Sequence, residues 1–362
     1  MQMPLTGDRH DGDARGDERS GGPLPPGSPG APGRVVVCGE ALVDLVVAGD
    51  GRTATAHLGG GPYNAARAAA RLGTPISFLA RVSTDRFGQA LIDGLAADGV
   101  DTTTVLRSDA PTMLALAEVD PTGAASYRFY VDGTATPDLG PADALDRLPA
   151  DTSILCVGTL GLVLEPMAEA SEALVEAARG RAEIVVDPNV RPALIHDPGA
   201  YLARLRRVVA GSAVVKLSDE DLRWIDPTRS TDDAAIALLD LGPRLVVVTR
   251  GARGLSAFGA AGRTDVPGRP VSVADTIGAG DAVTGAILAG LHAGGPSLLD
   301  DPAATDALLR DAVAVAAITV SRPGADPPRR AELDRSRGTA EGGTDSTSVW
   351  PCRTGTGRAG PG

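Results

Sequence analysis

The segment with the clearest chemical signature joins two glycines to acidic residues: Asp275-Thr276-Ile277-Gly278-Ala279-Gly280-Asp281. Small residues typical of a helix follow it, and the apolar run 271–273 predicts a strand that leads into it. Gly278 and Gly280 let successive backbone N–H groups point to one spot at a helix N-terminus, where an anion is stabilised. Asp281 could then accept a proton from an alcohol in line with a transferring phosphoryl group. The alternative is a capping Asp281 after a simple glycine turn, but the whole segment favours the catalytic interpretation.

A second glycine-rich segment opens a predicted helix: His57-Leu58-Gly59-Gly60-Gly61-Pro62-Tyr63-Asn64. Its spacing differs from the G-x-G-x-x-G of dinucleotide-binding proteins. Backbone close to a neutral polyol, with Asn64 as a bidentate amide, fits the segment better. Asp44 interrupts an otherwise apolar strand. Because a buried carboxylate is costly without partners, we expect Asp44 to meet ligand hydroxyl groups, with a solvent-facing edge position as the alternative.

Several other catalytic motifs are absent from the sequence. The single lysine, Lys216, is followed by Leu217, so there is no G-x-x-x-x-G-K-[ST] phosphate loop. No H-E-x-x-H, G-x-S-x-G, H-R-D or D-F-G motif occurs. These absences disfavour zinc enzymes, the common serine hydrolases and protein kinases.

The chemical segments need a scaffold, and the hydrophobic pattern predicts alternating strands and helices. Apolar or β-branched runs predict strands at 35–38, 76–80, 154–157, 184–186, 213–215 and 245–248. Ala/Leu-rich patterns between them predict helices at 63–72, 87–97, 166–179, 200–209 and 232–241. This alternation indicates an α/β fold with a mostly parallel sheet covered by helices on both faces.

Residues 102–131 break the alternation. Apolar runs at 113–119 and 125–131, joined by a Pro-Thr-Gly turn at 121–123, predict an antiparallel hairpin. Tyr127, Phe129 and Tyr130 bring three aromatic side chains into this hairpin. We interpret it as a small β-strand lid over a polar ligand, with a core strand as the alternative.

Composition limits the environment and the partners. The 362 residues include 34 basic and 46 acidic side chains, and the net charge of −12 disfavours nucleic acid and anionic membranes as partners. Tails at 1–33 and 331–362, rich in glycine and polar residues, are expected to be disordered, which leaves one domain at 34–330. Three scattered cysteines and the lack of signal-peptide or membrane-spanning patterns favour a cytoplasmic protein.

Taken together, the 59–66 and 275–281 segments resemble the two signatures of the ribokinase-like (PfkB) carbohydrate kinases. Their order, their separation and the hairpin also match, and the similarity spans residues 34–330. The resemblance implies a three-layer α/β/α sandwich with a β lid at about 40–60 and 102–131. It also implies ATP and Mg²⁺ as the phosphoryl donor and a sugar hydroxyl as the acceptor.

The resemblance assigns roles to residues. Asp281 becomes the catalytic base, and the amides of Gly278, Ala279, Gly280 and Asp281 become the anion hole. The sugar contacts implied in the two glycine-rich regions and the lid are Asp44, Gly60, Gly61, Asn64 and Tyr130. The 187–191 segment is similar to one in fructokinases where Asn189 and Arg191 face the substrate and the phosphates.

The nucleotide contacts follow from the same resemblance. The 216–221 segment occupies the place of the family's K-x-N-x-x-E element, which implies nucleotide contacts for Lys216 and Ser218 and a water-mediated Mg²⁺ contact for Asp221. Ser218 and Asp221 replace the family's Asn and Glu, and a capping box explains them equally well. Thr249, Gly251 and Gly254 resemble the nucleotide phosphate turn, and Gly278 and Gly280 of the anion hole are implied nucleotide contacts as well. Related kinases hold a monovalent cation, K⁺, at the positions of Asp275, Ile277 and Gly324.

The lid sequence ranks the sugars. The aromatic segment 127–130 followed by Gly133-Thr134-Ala135 is most similar to fructokinases, which favours conversion of fructose to fructose 6-phosphate. The 2-keto-3-deoxygluconate kinases rank second, because their substrate carboxylate needs an arginine where this chain has Val131. Arg128 could replace that arginine, but neighbouring strand residues alternate faces, so Arg128 and Phe129 cannot both face the ligand.

Two alternatives concern other classes of behaviour. A non-catalytic sugar or nucleotide sensor could use the same fold, since fold alone does not fix function. The edge strands of a lid can pair with a second copy of the chain, so a homodimer is also left open.

Overall fold

The computed structural model describes residues 33–48, 51–119 and 125–341. The predicted turn at 121–123, the N-terminal tail up to residue 32 and the C-terminal tail from residue 342 lie outside the described residues.

The strands are numbered along the chain, and the predicted strands at 35–38, 76–80, 154–157, 184–186, 213–215 and 245–248 are all present among them. Their bounds are β1 (Arg34–Cys38), β2 (Leu42–Val47), β3 (Ala54–Gly59), β4 (Ile76–Leu79), β5 (Arg81–Ser83), β6 (Leu106–Ser108), β7 (Leu114–Val119), β8 (Ala125–Tyr130), β9 (Thr152–Gly158), β10 (Glu183–Asp187), β11 (Val214–Ser218), β12 (Leu245–Thr249), β13 (Leu255–Gly259) and β14 (Gly262–Val266).

The α-helices of the described residues include all five that the sequence predicts, with ends shifted by one or two residues. Their bounds are α1 (Gly61–Arg71), α2 (Arg86–Ala97), α3 (Pro141–Arg147), α4 (Met167–Ala178), α5 (Pro198–Ala210), α6 (Asp219–Ile225), α7 (Thr231–Leu239), α8 (Ala279–Gly294), α9 (Pro302–Val320) and α10 (Arg330–Glu341). No helix within the described ranges has both the length and the apolar character needed to span a membrane.

The central sheet confirms the predicted architecture. Within the described residues it has eight strands in the order β14-β13-β12-β11-β10-β9-β1-β4, parallel from β12 to β4 and antiparallel at the β13 and β14 edge. Successive side chains of β1 enter two different cores: Val35 and Val37 pack with α1, α2, α8 and α9, whereas Val36 and Cys38 pack with α3 to α7. Burial on both faces is what a parallel sheet between two helix layers requires. The chain is therefore a three-layer α/β/α sandwich.

A smaller sheet lies outside these layers. Its order in the described residues is β3-β2-β7-β8, and the β7–β8 pair is the predicted antiparallel hairpin. The strand register aligns His57, Asp44, Ala115 and Phe129 in one row across it. Residues paired in this way project from the same face, so Asp44 and Phe129 share a face, and Tyr130 projects from the opposite one.

Two sequence predictions about elements are wrong. Residues 271–273 form no strand; Pro267 and Pro270 lack the N–H groups that a continuing strand needs, and the N–H groups of Ala274 and Asp275 instead donate to the Val320 carbonyl. The predicted disordered tail does not begin at residue 331, because 331–341 belong to α10. That helix packs through the buried Leu333.

Candidate active site

A cavity of about 580 Å³ lies between the smaller sheet, β3-β2-β7-β8, and the carboxyl ends of β1, β9 and β10. This smaller sheet is called the lid sheet below. Carboxyl ends of parallel strands are the usual ligand-binding edge of an α/β sheet. The lining combines lid residues, strand ends and the start of α8: Glu40, Leu42, Asp44, Val46, Gly60, Gly61, Asn64, Ala117, Phe129, Thr159, Leu160, Asn189, Arg191, Glu220 and 276–281. The two glycine-rich segments, far apart in sequence, therefore meet at one site.

Asp281 lies in the first turn of α8, on the cavity wall. The cap of this helix is Gly278, in the left-handed conformation (φ 74°), so the alternative that Asp281 merely caps the helix is wrong. Its Oδ2 accepts a hydrogen bond from Asn64 Nδ2 at 2.9 Å. Burial raises the pKa of Asp281 to about 6, and the positive charge of Lys216 opposes that rise. The pKa of this carboxyl group is thus close to the value expected of a general base that works at neutral pH.

The backbone before Asp281 requires glycine at Gly278 and brings Gly280 close to a lysine side chain. A Cβ on Gly278 would lie 2.6 Å from the Ala325 Cβ, and one on Gly280 would lie 2.9 Å from Lys216 Nζ. The first N–H groups of a helix lack intrahelical acceptors and favour an anion. Ala279 is an exception, because its N–H donates to the Thr276 carbonyl at 3.3 Å. The amides of Gly280 and Asp281 are therefore the better candidates for an anion hole.

Gly61 lies where the polar side chains converge. A Cβ at this position would lie 2.7 Å from Thr159 Cγ2, 3.3 Å from Asn189 Nδ2 and 3.4 Å from Asp281 Oδ1. The Oδ1 atom of Asn64 is buried and has no hydrogen-bond partner among the described residues. A buried acceptor of this kind is costly unless a ligand satisfies it, which supports a polyol contact at Asn64.

Two lining residues have strained backbones. Thr159 has φ 48° and Asn189 has φ 36°, although neither is glycine. Such conformations cost about 1–3 kcal/mol and are concentrated at functional sites. Asn189 also holds Arg191, whose Nη1 donates to Asn189 Oδ1 at 2.7 Å. The predicted pair, Asn189 and Arg191, is therefore a preformed part of the cavity wall.

Glu40 was missed by the sequence analysis. Its carboxylate accepts hydrogen bonds from Thr159 Oγ1, at 2.6 Å to Oε1, and from the Gly61 N–H, at 3.2 Å. Burial raises the pKa of Glu40 to about 7, and burial likewise raises the pKa of Asp44 to about 6. The available signal was a charged residue two positions after the buried strand β1, which places it at the binding edge of the sheet.

We expect Glu40→Gln to stabilise the fold at pH 8. The folded-state pKa of Glu40, about 7 against an ordinary 4.5, means that the folded protein binds this proton more tightly than the unfolded chain. The stabilisation is complete below pH 4.5 and is lost as the pH rises through 7. At pH 8 the glutamine variant should therefore gain about 3 kcal/mol in the free energy of unfolding, and at pH 4.5 little. Urea unfolding at both pH values checks this; a variant no more stable than the parent at pH 8 would contradict it.

Several predicted contacts do not reach the cavity. Lys216 is buried, and its Nζ donates to Asp187 Oδ2 at 2.9 Å. Asp221 uses Oδ1 to accept from the Val190 N–H and Oδ2 to accept from Ser218, in a capping box. The capping box predicted as the alternative for Ser218 and Asp221 is therefore present, and Asp221 lies outside the cavity lining. Its water-mediated Mg²⁺ contact stays a prediction. The carboxylate of this segment that does line the cavity is Glu220.

Tyr130 is also not a cavity residue. Its side chain is 51% exposed, and Phe129 lines the cavity instead. The strand alternation that separates Arg128 from Phe129 applies equally to Tyr130, because the three are consecutive in β8.

The remaining predicted nucleotide and cation residues lie at the same edge of the central sheet or beside α8. Thr249 ends β12, next to β11, and Gly251 and Gly254 follow it; none of the three lines the cavity. Asp275 is hydrogen-bonded to the other two residues of the predicted cation site. Its Oδ1 accepts from the Ile277 N–H at 3.0 Å, and its Oδ2 accepts from the Gly324 N–H at 2.9 Å. Asp275, Ile277 and Gly324 thus form one cluster next to the start of α8.

Comparison with known proteins places this geometry in a family. Residues 33–331 match the model of the pfkB family carbohydrate kinases. The chain is 36% identical over 261 residues to a fructokinase of Rhizobium leguminosarum bv. trifolii, a match that covers 71% of this chain and 79% of that protein.

Solved structures agree with the family match. The fructokinase of Xylella fastidiosa with bound ATP superposes with a TM-score of 0.75 at 28% identity, covering 84% of this chain and 99% of the other. A double mutant of the Vibrio cholerae O395 fructokinase, with fructose, ADP and a potassium ion bound, gives the same TM-score and identity and covers 84% and 98%. The family match spans most of the chain, and the fold and both glycine-rich segments fit it: the chain belongs to the PfkB family of carbohydrate kinases.

Proposed function

We propose that this kinase transfers the γ-phosphoryl group of MgATP to fructose and forms fructose 6-phosphate. The observation that carries the proposal is the position of Asp281, a buried carboxylate at a helix N-terminus, on the wall of a cavity with other hydroxyl-accepting carboxylates. The similarity to fructokinases supports fructose as the acceptor.

The charge of the cavity favours a neutral sugar over a keto acid. Four carboxyl groups line it, those of Glu40, Asp44, Glu220 and Asp281, and Arg191 is the one cation that lines it in the described part of the chain. Arg128 is exposed on the other face of the lid from Phe129. A substrate carboxylate would meet more negative than positive charge, whereas sugar hydroxyls can donate to carboxylates.

The proposed mechanism relies on position more than on covalent chemistry. Asp44 and the Oδ1 atom of Asn64 accept hydrogen bonds from sugar hydroxyls, and Gly60 and Gly61 let the sugar approach the backbone. Asp281 takes the proton of the attacking hydroxyl, while the amides of Gly280 and Asp281 stabilise the charge on the transferring group. The lid sheet, with Phe129, excludes water that would hydrolyse ATP.

Two cations belong to this proposal. Glu220 fits the position from which a carboxylate could reach the water shell of a nucleotide-bound Mg²⁺, since it lines the cavity at the start of α6. The Asp275, Ile277 and Gly324 cluster fits a monovalent cation, because it joins two loops around one carboxylate beside α8. When bound, the cations would neutralise phosphate charge and support the helix N-terminus.

A substrate panel tests the proposal. ADP release by the purified protein should be measured with MgATP and fructose, 2-keto-3-deoxygluconate, ribose or adenosine. We expect turnover with fructose and at least tenfold less with the others. Preferred turnover of the keto acid would overturn the fructose assignment. Sugar binding without any ADP release would indicate a sensor.

Phe129 and Tyr130 offer a paired test of the lid. We expect Phe129→Ala to raise the KM for fructose about tenfold, because it removes an apolar wall of the cavity worth about 1–2 kcal/mol. The neighbouring Tyr130→Ala should leave the KM unchanged, since this side chain projects away from the cavity. Steady-state kinetics of both variants check the prediction, and equal effects would contradict the observed strand orientation.

A further inference from the structure

A buried ion pair lies directly beneath the first turn of α8. Lys216 on β11 donates from Nζ to Asp187 Oδ2 on β10 at 2.9 Å, and both side chains are less than a tenth exposed. Thr284 Oγ1 donates to the same Asp187 oxygen at 2.7 Å. The pair therefore connects two central strands to α8.

The pair also contacts the backbone of the proposed anion hole. The Gly280 Cα lies against the ammonium, since a Cβ on Gly280 would be 2.9 Å from Nζ. Thr284 follows Asp281 by three residues in the same helix, so the ion pair supports the turn that presents Asp281 from below. Neither Lys216 nor Asp187 lines the cavity.

Burying two charges is expensive, and a pair of this kind is weak evidence for a purely stabilising role. In other proteins, apolar residues of similar size often replace such a pair at equal or lower free energy. A role in catalysis explains the charges better, because a fixed ammonium under a helix N-terminus acts on every charge that forms above it.

We infer that Lys216 and Asp187 are positioning residues: the pair fixes the first turn of α8 and sets the charge state of Asp281 without contact to either substrate. The inference rests on the proposed role of Asp281 as the base. Lys216, which the family resemblance assigns to the nucleotide, acts here through Gly280 and Asp281.

The charges around Asp281 give the direction in which each substitution should move its pKa. Charged and polar groups face it from every neighbouring element: Asn64 from α1, Glu40 after β1, Asp187 at the end of β10, Arg191 just beyond it, and Lys216 from β11. Lys216 favours the ionised carboxylate, whereas Asp187 disfavours it. Removing one or the other must therefore move the pKa of Asp281 in opposite directions.

The test compares the pH dependence of kcat at saturating fructose in three variants of the full chain, because the pKa of Asp44 is also about 6 and its titration would add a second limb to kcat/KM. We expect Lys216→Met to move the acid limb of the profile upward by about 1 pH unit and to lower kcat about twofold at pH 7, where about half of the Asp281 carboxyl groups would then be protonated. The isosteric Asp187→Asn should move the limb downward. Arg204→Met removes a cation that pairs with Glu165 and Glu172 and lies outside the cavity lining, and it should leave the limb unchanged.

The outcomes separate the inference from the proposed function. Shifts of opposite sign support the inference, since damage to the fold would lower rates without such a pattern. Lower rates with an unmoved acid limb in both variants would overturn it, while leaving Asp281 as the base. If Asp281→Asn keeps the full activity of the parent enzyme, the proposed function itself is overturned. If Lys216→Met does not fold, the downward shift in Asp187→Asn still decides the question.

Discussion

Replacement of Asp281 by asparagine is expected to lower kcat for sugar phosphorylation about 10³-fold, the middle of the range for a general base. Asparagine keeps the size of the side chain and can still bond to Asn64 after rotation of an amide, but it cannot take the proton of the attacking hydroxyl. The backbone amides of the first turn of α8 remain in place. Nucleotide affinity should therefore stay within about twofold of the parent value.

Single-turnover kinetics and titration with an ATP analogue measure the two effects separately. The parent enzyme should lose activity as the pH falls below about 6, the pKa to which burial raises Asp281, because the base must be ionised to act. At saturating fructose, the residual kcat of Asp281→Asn should lack this limb. Asp101→Asn, at a carboxylate that pairs with Arg34 outside the cavity, serves as the matched control. Turnover of Asp281→Asn within tenfold of the parent would refute the assignment.

The second large effect is expected at Asp44. Asp44→Ala should raise the KM for fructose about thirtyfold, because hydrogen bonds from hydroxyls to a charged acceptor contribute about 2 kcal/mol. The carboxylate of Asp44 lies against the backbone of Gly59, where a Cβ would be only 2.3 Å from Oδ2. Because Gly59 has no side chain, there is space for the Asp44 carboxylate in the cavity wall. The KM for ATP should not change.

Asp44→Asn distinguishes charge from shape. It should have an intermediate KM, since an amide oxygen still accepts a hydrogen bond but carries no charge. Burial raises the pKa of Asp44 to about 6, so the parent should also bind fructose more weakly below pH 6. Isothermal titration with fructose at pH 5 and pH 8 measures this. Equal affinity in the parent, alanine and asparagine proteins would remove Asp44 from the sugar site.

Local sequence signals were sufficient for the scaffold and for the position of Asp281 at the start of α8. The 275–281 segment carries its own conformational requirement, because Gly278 needs a positive φ and a Cβ there would lie 2.6 Å from the Ala325 Cβ. The alternation of apolar runs similarly predicts the central sheet, since both faces of its strands are buried.

The missed and misassigned residues depend on contacts that no local pattern encodes. Glu40 becomes part of the site only because Thr159, 119 residues later, bonds to it. Lys216 matches a family motif, yet its orientation is decided by Asp187 on the neighbouring strand. Tyr130 and Phe129 exchange roles because the face of a strand residue depends on the register with β7. Helix α10 likewise forms on a polar stretch because Leu333 finds a buried position.

The carboxylates around the cavity also bear on what happens after the transfer. A neutral sugar enters, but the proposed product carries a phosphate ester with about two negative charges at neutral pH. Once Asp281 has released the proton that it accepted, Asp44 and Asp281 face an anion of like sign instead of a hydroxyl donor. The arrangement that accepts the substrate thus repels the product, so sugar phosphate should leave readily and inhibit the enzyme only weakly.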